Sequence, residues 1–336
     1  MPWIEPGLQN PVDSLFPAWF MEHWANLALR CDLGDPVCCA PVWNLAYQEV
    51  FYPERPIFYS ASDDSLIVLA EYVMETGEPI LTPMEDSWLF GQPLLGDTSP
   101  ALLAALMPEI SARYSDGVPK IFISGIQEQA IFAHTLFNIF SKRYSFYRRA
   151  SAIEAAASLD GGMDGWLGRR SANHRAKLRK AMRKAREAGI TFERIRPNTI
   201  NVDSIYDRML AIEAKSWKGI DHCGMTEPPS REFYQALIRR QAANGAALVI
   251  LASRDGEELG FIYGGCAGSI YRGQQFSYAR EAESYSLGNL MQMEKVRWLC
   301  ELGLKRYDMG PVTGPRMGYK KHWTEQFREI QTWMLC

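Results

Sequence analysis

AALVILASRDGEELGFIYGGCAGSIYRGQQFSYA, residues 246–279, decides the fold. AALVILAS, LGFIYGGCAG and SIYRGQQFSYA are rich in β-branched and aromatic residues, and the Asp255-Gly256 turn lies between the first two, so the stretch reads as a three-stranded antiparallel meander. YSLGNLMQMEKVRWLCELG, residues 285–303, then reads as a helix entered through Ser286 and Gly288. Its clear polar strip is Glu294, Arg297 and Glu301, so the rest of its surface is expected to lie against a sheet. KRYDMG (305–310) is a strand, PRMGYKKHW (315–323) a turn and short helix, and REIQTWML (328–335) the last strand. The order is therefore βββ, α, β, α, β.

Working back from the meander, SREFYQALIRRQAANG (230–245) and SIYDRMLAIEAKSWKG (204–219) have helical patterns. Before them stands SANHRAKLRKAMRKAREAG, residues 171–189, with seven basic residues from Arg175 to Arg186 and no carboxylate before Glu187. At 100° per residue Leu178, Ala181, Met182, Ala185 and Ala188 share one side and the cations the other. Ser171 is expected to cap this helix and Gly189 to end it. Like charges at helical spacing, with no i, i+4 acid-base pairing expected, leave an anionic partner as one reading and a solvated face as the other.

The first half is an α/β pattern: the helix NLAYQEVF (44–51), the buried strand SLIVLAEYVM (65–74), a helix SPALLAALMPEISARY (99–114) with Ser99 as N-cap and Pro100 in its first turn, the strand KIFISGI (120–126), the helix EQAIFAHTLFNIFSKRY (128–144) and a closing strand SFYRRASAI (145–153). The Gly-rich SLDGGMDGW (158–166) sets the expected boundary, giving halves 1–160 and 161–336.

Composition narrows the function. With 336 residues, 47% hydrophobic and a net charge of −3, the chain reads as globular, and no DNA-coating basic surface is indicated. No apolar run reaches the ~20 residues of a membrane span, and MPWIEPGLQNPVDSLF has neither basic nor apolar signal regions, so a cytoplasmic location is expected. The seven cysteines, at 31, 38, 39, 223, 266, 300 and 336, form no CxxC, and the five histidines have no ligand spacing, so no metal is expected. Cys38-Cys39 reads as packing.

The element order, together with RRSANHRAKLRKAMRKAREAG, EAKSWKG, SYSLGNLMQ, RYDMG and YKKHW, resembles the GNAT acyltransferases, and within them the Fem-like branch of two tandem GNAT-like halves that includes polysaccharide-associated acetyltransferases. The resemblance spans roughly residues 60–336. It departs from the usual pattern at Ala279-Arg280, where related chains often carry an aspartate, and at Ser286-Leu287-Gly288, where they carry SPG. What it implies is an α/β (α+β) fold with mixed, largely antiparallel sheets and transfer of an acyl group from acyl-CoA to the amine of a small or sugar-type acceptor. Aminoacyl-tRNA is the alternative donor, and a catalytically inactive binding module the second alternative.

The resemblance also implies a site. The backbone N–H groups of Ser286, Leu287, Gly288, Asn289 and Leu290 are expected to receive the donor's pyrophosphate, as helix N-termini receive anions. Lys320 matches the lysine that Fem-type enzymes use near the oxyanion. Asp308 is expected to accept the amine proton or to fix Lys320, with Tyr278 as a possible relay. Glu213 and Trp217, four apart, would put a carboxylate and an aromatic wall on one helix face. Tyr319, Trp217, Arg175, Arg179 and Arg183 are expected on the substrate side. No Ser-His-Asp order or nucleophilic cysteine context is present, which favours direct transfer.

Overall fold

The computed structural model describes residues 3–4, 12–30, 35–114, 118–127, 130–312, 314 and 316–336; the readings of Cys31, of Glu128-Gln129 and of Pro315 lie outside the described residues. The chain divides into two compact units, residues 1–153 with 328–336, and residues 154–327.

The chain runs β1 (Trp3–Ile4), α1 (Ala18–Leu29), α2 (Pro36–Cys39), α3 (Pro41–Phe51), β2 (Ile57–Ala61), β3 (Leu66–Val73), β4 (Pro79–Thr82), β5 (Leu94–Leu95), α4 (Ser99–Arg113), β6 (Lys120–Ile126), α5 (Ile131–Phe140) and β7 (Phe146–Ser158). It continues with α6 (Gly162–Gly168), α7 (Ala172–Glu187), β8 (Thr191–Ile195), α8 (Val202–Ala214), α9 (Trp217–Ile220), α10 (Ser230–Ala243), β9 (Ala247–Arg254), β10 (Glu257–Ala267), β11 (Ile270–Tyr278), α11 (Leu287–Glu301), β12 (Arg306–Pro311) and β13 (Gln326–Leu335). Short 3₁₀ segments cover Val12–Ser14, Arg280–Tyr285 and Gly318–His322.

In the first unit the strand order is β1-β2-β3-β4-β6-β13, antiparallel except for the β4–β6 pair. Apolar side chains fill both faces, with Ile67, Leu69, Ile121, Ile123, Leu103 and Leu136 in one cluster and Phe20, Trp24, Ile57 and Val68 in another. Helix α4 is preceded by Thr98 as N-cap, not Ser99, whose hydroxyl instead donates to the Gly96 carbonyl at 2.7 Å. The sequence reading carried the second half to residue 336. Residues 328–336 group with the first unit, where Trp333, Met334 and Leu335 pair with Ile123, Phe122 and Ile121.

In the second unit the order is β7-β12-β11-β10-β9-β8; β9, β10 and β11 form the expected meander, and the β11–β12 pair is parallel. The alanines of AIEAAAS extend β7 past the expected end at Ile153, because Ala155, Ala156 and Ala157 are buried beside β12. Helices α6, α7 and α11 enclose a core of Trp166, Leu178, Ala181, Ala185, Leu287, Leu290, Met291, Val296, Leu299 and Trp323. Ser171 accepts the His174 N–H at 3.2 Å and Gly189, with φ +69°, follows the C-cap, so α7 starts and stops on the expected residues.

Among the described residues no helix is long and apolar enough to cross a membrane, and no cluster of His, Cys, Asp and Glu is suited to a metal.

Candidate active site

Strands β11 and β12 pair through Ile270–Arg306, Tyr271–Tyr307 and Arg272–Asp308 and, among the described residues, no further, although β11 runs on to Tyr278 and β12 to Pro311. A gap therefore opens between two parallel strands. Its base is an ionic lattice. Arg272 donates to Asp308 Oδ1 at 2.7 Å and lies 3.5 Å from Glu154 Oε1; Arg306 donates to Asp308 Oδ2 at 2.8 Å; and the Gly310 N–H donates to Asp308 Oδ1 at 2.9 Å. Arg272, Asp308 and Glu154 are all buried, and an uncompensated charge there would be strongly unfavourable. Gly310, with φ +70°, closes over the lattice: a Cβ would stand 2.7 Å from Arg272 Nη2, so the glycine of KRYDMG is required by both backbone and space.

Lys320, on the 3₁₀ segment Gly318–His322, stands beside this lattice. Its Nζ donates to the Pro311 carbonyl at 2.7 Å. Desolvation, and secondarily the Arg272 charge, push it down to about 8 from an ordinary 10.5, against the opposing pull of Asp308 and Glu154. Asp308 does not bind Lys320 directly; both its oxygens are held by arginines and a backbone N–H, so it positions the lattice.

Glu213 and Trp217 do not share a helix face. Helix α8 ends at Ala214, and Ser216 caps a new short helix by accepting the Lys218 N–H at 3.1 Å. The Glu213 carboxylate is fully buried and accepts the Met225 N–H at 2.8 Å. Trp217 lies under the Arg316 guanidinium, 3.9 Å from ring centroid to Cζ, with Arg316 also 3.5 Å from Asp221. Lys218, between them, donates to Gln275 Oε1 on β11 at 2.7 Å; burial lowers its pKa.

The start of α11 borders the other side of β11. Ser286 adopts φ +58°, and its carbonyl takes the N–H groups of Asn289 and Leu290, leaving those of Leu287 and Gly288 without an acceptor among the described residues. Gly288 packs against aromatic rings: a Cβ would meet Tyr278 at 3.2 Å and Phe276 at 3.5 Å. The preceding 3₁₀ segment carries Glu281 and Glu283. Tyr319 is partly exposed, and its phenol is pushed up to about 12 by desolvation and then by Tyr278.

The basic helix packs on α11 through Leu178, Ala181 and Ala185, and its His174 ring lies 5.9 Å from that of His322 and 5.1 Å from that of Trp323. Arg175 is tied to the Arg170 carbonyl at 2.6 Å. Arg183 lies 3.9 Å from Glu187, so one i, i+4 acid-base pair does exist, contrary to the expectation of none; both side chains remain about 70% exposed. Lys177, Arg179, Lys180, Lys184 and Arg186 are exposed with no ion pair among the described residues.

Of the residues singled out from sequence, the structure thus gathers Lys320 and Asp308 at the lattice, and Tyr278, Tyr319 and Ser286–Leu290 around the α11 start. Glu213 and Trp217 border on Lys218, and Arg175, Arg179 and Arg183 lie on α7. Sequence reasoning missed Arg272, Glu154, Arg306 and Lys218. Glu154 had a signal, a single carboxylate inside the apolar run AIEAAAS. Arg272 had none, because its partner is set by a parallel strand register.

Residues 172–321 match the family described as Acetyltransferase (GNAT) domain. No curated protein matches the chain by sequence. Among solved structures, FemX aligns with a TM-score of 0.65 at 12% identity, covering 93% of this chain and 95% of that one. The C-terminal domain of a putative lysylphosphatidylglycerol synthetase from Agrobacterium fabrum aligns at 0.57 and 12%, covering 95% and 92%. The structure of L-PGS from Bacillus licheniformis aligns at 0.54 and 14%, covering 88% and 91%. Residues 172–321 are thus similar to the acetyltransferase (GNAT) domain, and the chain shares the fold of FemX.

Proposed function

We propose that the chain is an N-acyltransferase that moves an acyl group from an acyl-CoA directly to the amine of a small or sugar-type acceptor, with the gap between β11 and β12 as the place of reaction. The observation that carries this reading is the parting of two parallel strands beyond Arg272 and Asp308, with Lys320 at the edge of the gap. A thioester carbonyl held between the strands is open to an amine from one side. The C–N bond forms as the C–S bond breaks, and the proton shed by the amine leaves with the thiolate. Lys320, charged below about 8, is suited to stabilise the oxyanion that develops on the carbonyl. Asp308, Arg272 and Glu154 hold β12 and Lys320 in place for that task. The free N–H groups of Leu287 and Gly288 suit a phosphate of the donor, and Tyr278 and Tyr319 flank the entry to the site.

A second reading, aminoacyl transfer from tRNA, draws support from the unpaired cations of α7 and from the carboxylates Glu281 and Glu283 beside the α11 start, which disfavour a pyrophosphate there. Native mass spectrometry of the purified protein with acetyl-CoA, longer acyl-CoAs and charged tRNA tests both. A stoichiometric acyl-CoA adduct is expected; a charged-tRNA complex with no acyl-CoA adduct would replace the first reading by the second, and binding of neither would leave the inactive module.

A further inference from the structure

Beyond the Arg272–Asp308 pair the two strands form two arms, and each arm carries a lysine at the same height. The third residue on from Arg272 is Gln275, which takes Lys218 Nζ at 2.7 Å; the third residue on from Asp308 is Pro311, which takes Lys320 Nζ at 2.7 Å. Each strand carries one extra, bulged residue on the way, so this is two ladder positions, roughly 7 Å at about 3.3 Å per position, from the lattice. An ammonium has three N–H donors. Each of these lysines has one hydrogen-bond acceptor among the described residues, and both side chains are largely withdrawn from water.

The charges around the gap do not balance. Arg272, Arg306, Lys218 and Lys320 face Asp308, Glu154 and Glu213. Asp308 and Glu154 are engaged by the arginines, and Glu213 gives one oxygen to the Met225 N–H while the other stays 3.9 Å from Lys218, beyond hydrogen-bond length. One positive charge is left over. Gly264 pairs with Gly273 and Tyr263 with Gln275, so Gln274 is the extra residue of a bulge, and its amide nitrogen and oxygen are both buried without a partner.

We propose that the gap binds a carboxylate between Lys218 and Lys320, and that this carboxylate belongs to the amine acceptor, which is then an amino acid or a molecule carrying an amino-acid-like group. The inference rests on the N-acyltransferase reading and narrows its acceptor. The side of the sheet assigns the carboxylate to the acceptor. Phe276 and Tyr278 point to Gly288 on α11, where the free N–H groups suit the donor's phosphates; Gln275, with Lys218, alternates to the opposite face. Lys218 also lowers the Lys320 pKa, after desolvation and the Arg272 charge.

The test has a binding arm that needs no turnover. In lysine-labelled protein the Lys218 and Lys320 side-chain NMR signals, assigned with Lys218→Met and Lys320→Met, are followed while sodium acetate is added, with methylammonium chloride as the control. Acetate is expected to shift both signals saturably and methylammonium to leave them in place. Lys218→Met should weaken acetate by about tenfold, the loss of one charge-assisted contact, with Lys218→Arg restoring much of it and circular dichroism unchanged. Signals that ignore acetate, or unaltered affinity in a folded Lys218→Met, would overturn the proposal. In the turnover arm, thiol release from acetyl-CoA is compared for glycine and glycinamide, and for acetyl-CoA and succinyl-CoA. A preference for glycine that Lys218→Met abolishes supports the acceptor assignment; a Lys218-dependent preference for succinyl-CoA would overturn it in favour of the donor. Saturable acetate binding with no turnover of any pair would count against the N-acyltransferase reading while upholding the carboxylate site.

Discussion

Arg272 and Asp308 are the last residues paired across the parallel strands β11 and β12, and their 2.7 Å ion pair forms the floor of the gap that opens beyond them. Lys320, only one shell away, is bound to a backbone carbonyl instead. The two positions should therefore fail differently.

Asp308→Ala leaves the buried Arg272 with only the longer 3.5 Å contact to Glu154 among the lattice carboxylates and frees the Gly310 N–H, at a cost of about 3–5 kcal/mol of folding stability. Lys320→Met removes a desolvated charge without opening a cavity; turnover should fall roughly 10²- to 10³-fold with little loss of melting temperature. Urea melts and steady-state rates on both variants check this. Parallel losses of stability and rate in Lys320→Met would make that lysine structural.

The pH profile follows from the Lys320 shift. If the ammonium form stabilises the oxyanion, kcat/KM should decline as pH rises through about 8, once the independent ionisation of the acceptor amine is factored out with acceptors of different basicity. Lys320→Arg should move that decline to higher pH, because a guanidinium stays charged. A profile whose alkaline limb tracks only the acceptor's own ionisation would remove Lys320 from the reaction.

Gly288→Val places methyl groups where Tyr278 and Phe276 already leave 3.2 and 3.5 Å to a Cβ, so the start of α11 must move. Both the melting temperature and the affinity for acyl-CoA should drop, the first by overpacking of about 1–3 kcal/mol. Gly288→Ala should show a smaller version of both. Calorimetric titration showing full affinity in a destabilised Gly288→Val would move the donor away from Leu287 and Gly288.

The meander, α11 and α7 were legible because each is a local pattern: alternating or continuous apolar residues, a DG turn, a Ser cap, a Gly stop. Lys320 and Asp308 were singled out only through the resemblance. What stayed hidden depends on contacts between distant segments. Arg272 finds Asp308 through a parallel register, Lys218 reaches Gln275 across 57 positions of chain, and the helix break at Ser216 separates Glu213 from Trp217 although their spacing suits one helix. The last part of β7, Glu154–Ser158, has no β-branched residue to announce a strand and is held by its neighbour β12.

Lys295 offers a test of the second unit's interior. It is fully buried on α11, 4.7 Å from the Tyr271 ring centroid and 5.0 Å from that of Trp298, and desolvation pushes it down to about 7 from 10.5. Below about 7 both folded and unfolded chains hold the proton. Between about 7 and 10.5 the unfolded chain holds more, so stability contributed by this group rises with pH across that window. Lys295→Met should be more stable than the parent near pH 6 and should lack that rise, which is of the order of a few kcal/mol at most. Urea titrations at a series of pH values check it, and equal slopes in the two proteins would show that Lys295 is solvated.

The exposed face of α7 separates the two donor readings. Its buried side, Leu178, Ala181 and Ala185, is already used against the core, so charge reversal at Arg179 and Arg183 should leave the helix in place apart from the Arg183–Glu187 contact, an exposed pair of little consequence. A small phosphorylated donor would neutralise one or two phosphates, and its affinity should fall modestly with salt. An RNA acceptor stem spanning the helix would meet several phosphates, with log K falling by about 0.7 to 0.9 per contact for each decade of salt. Weak salt dependence with acyl-CoA and no tight tRNA complex is the expected result. A salt-steep tRNA complex abolished by the double reversal to Glu would instead assign α7 to the donor and make aminoacyl transfer the reaction, whereas ligands indifferent to both reversals would leave these cations as a solvated surface.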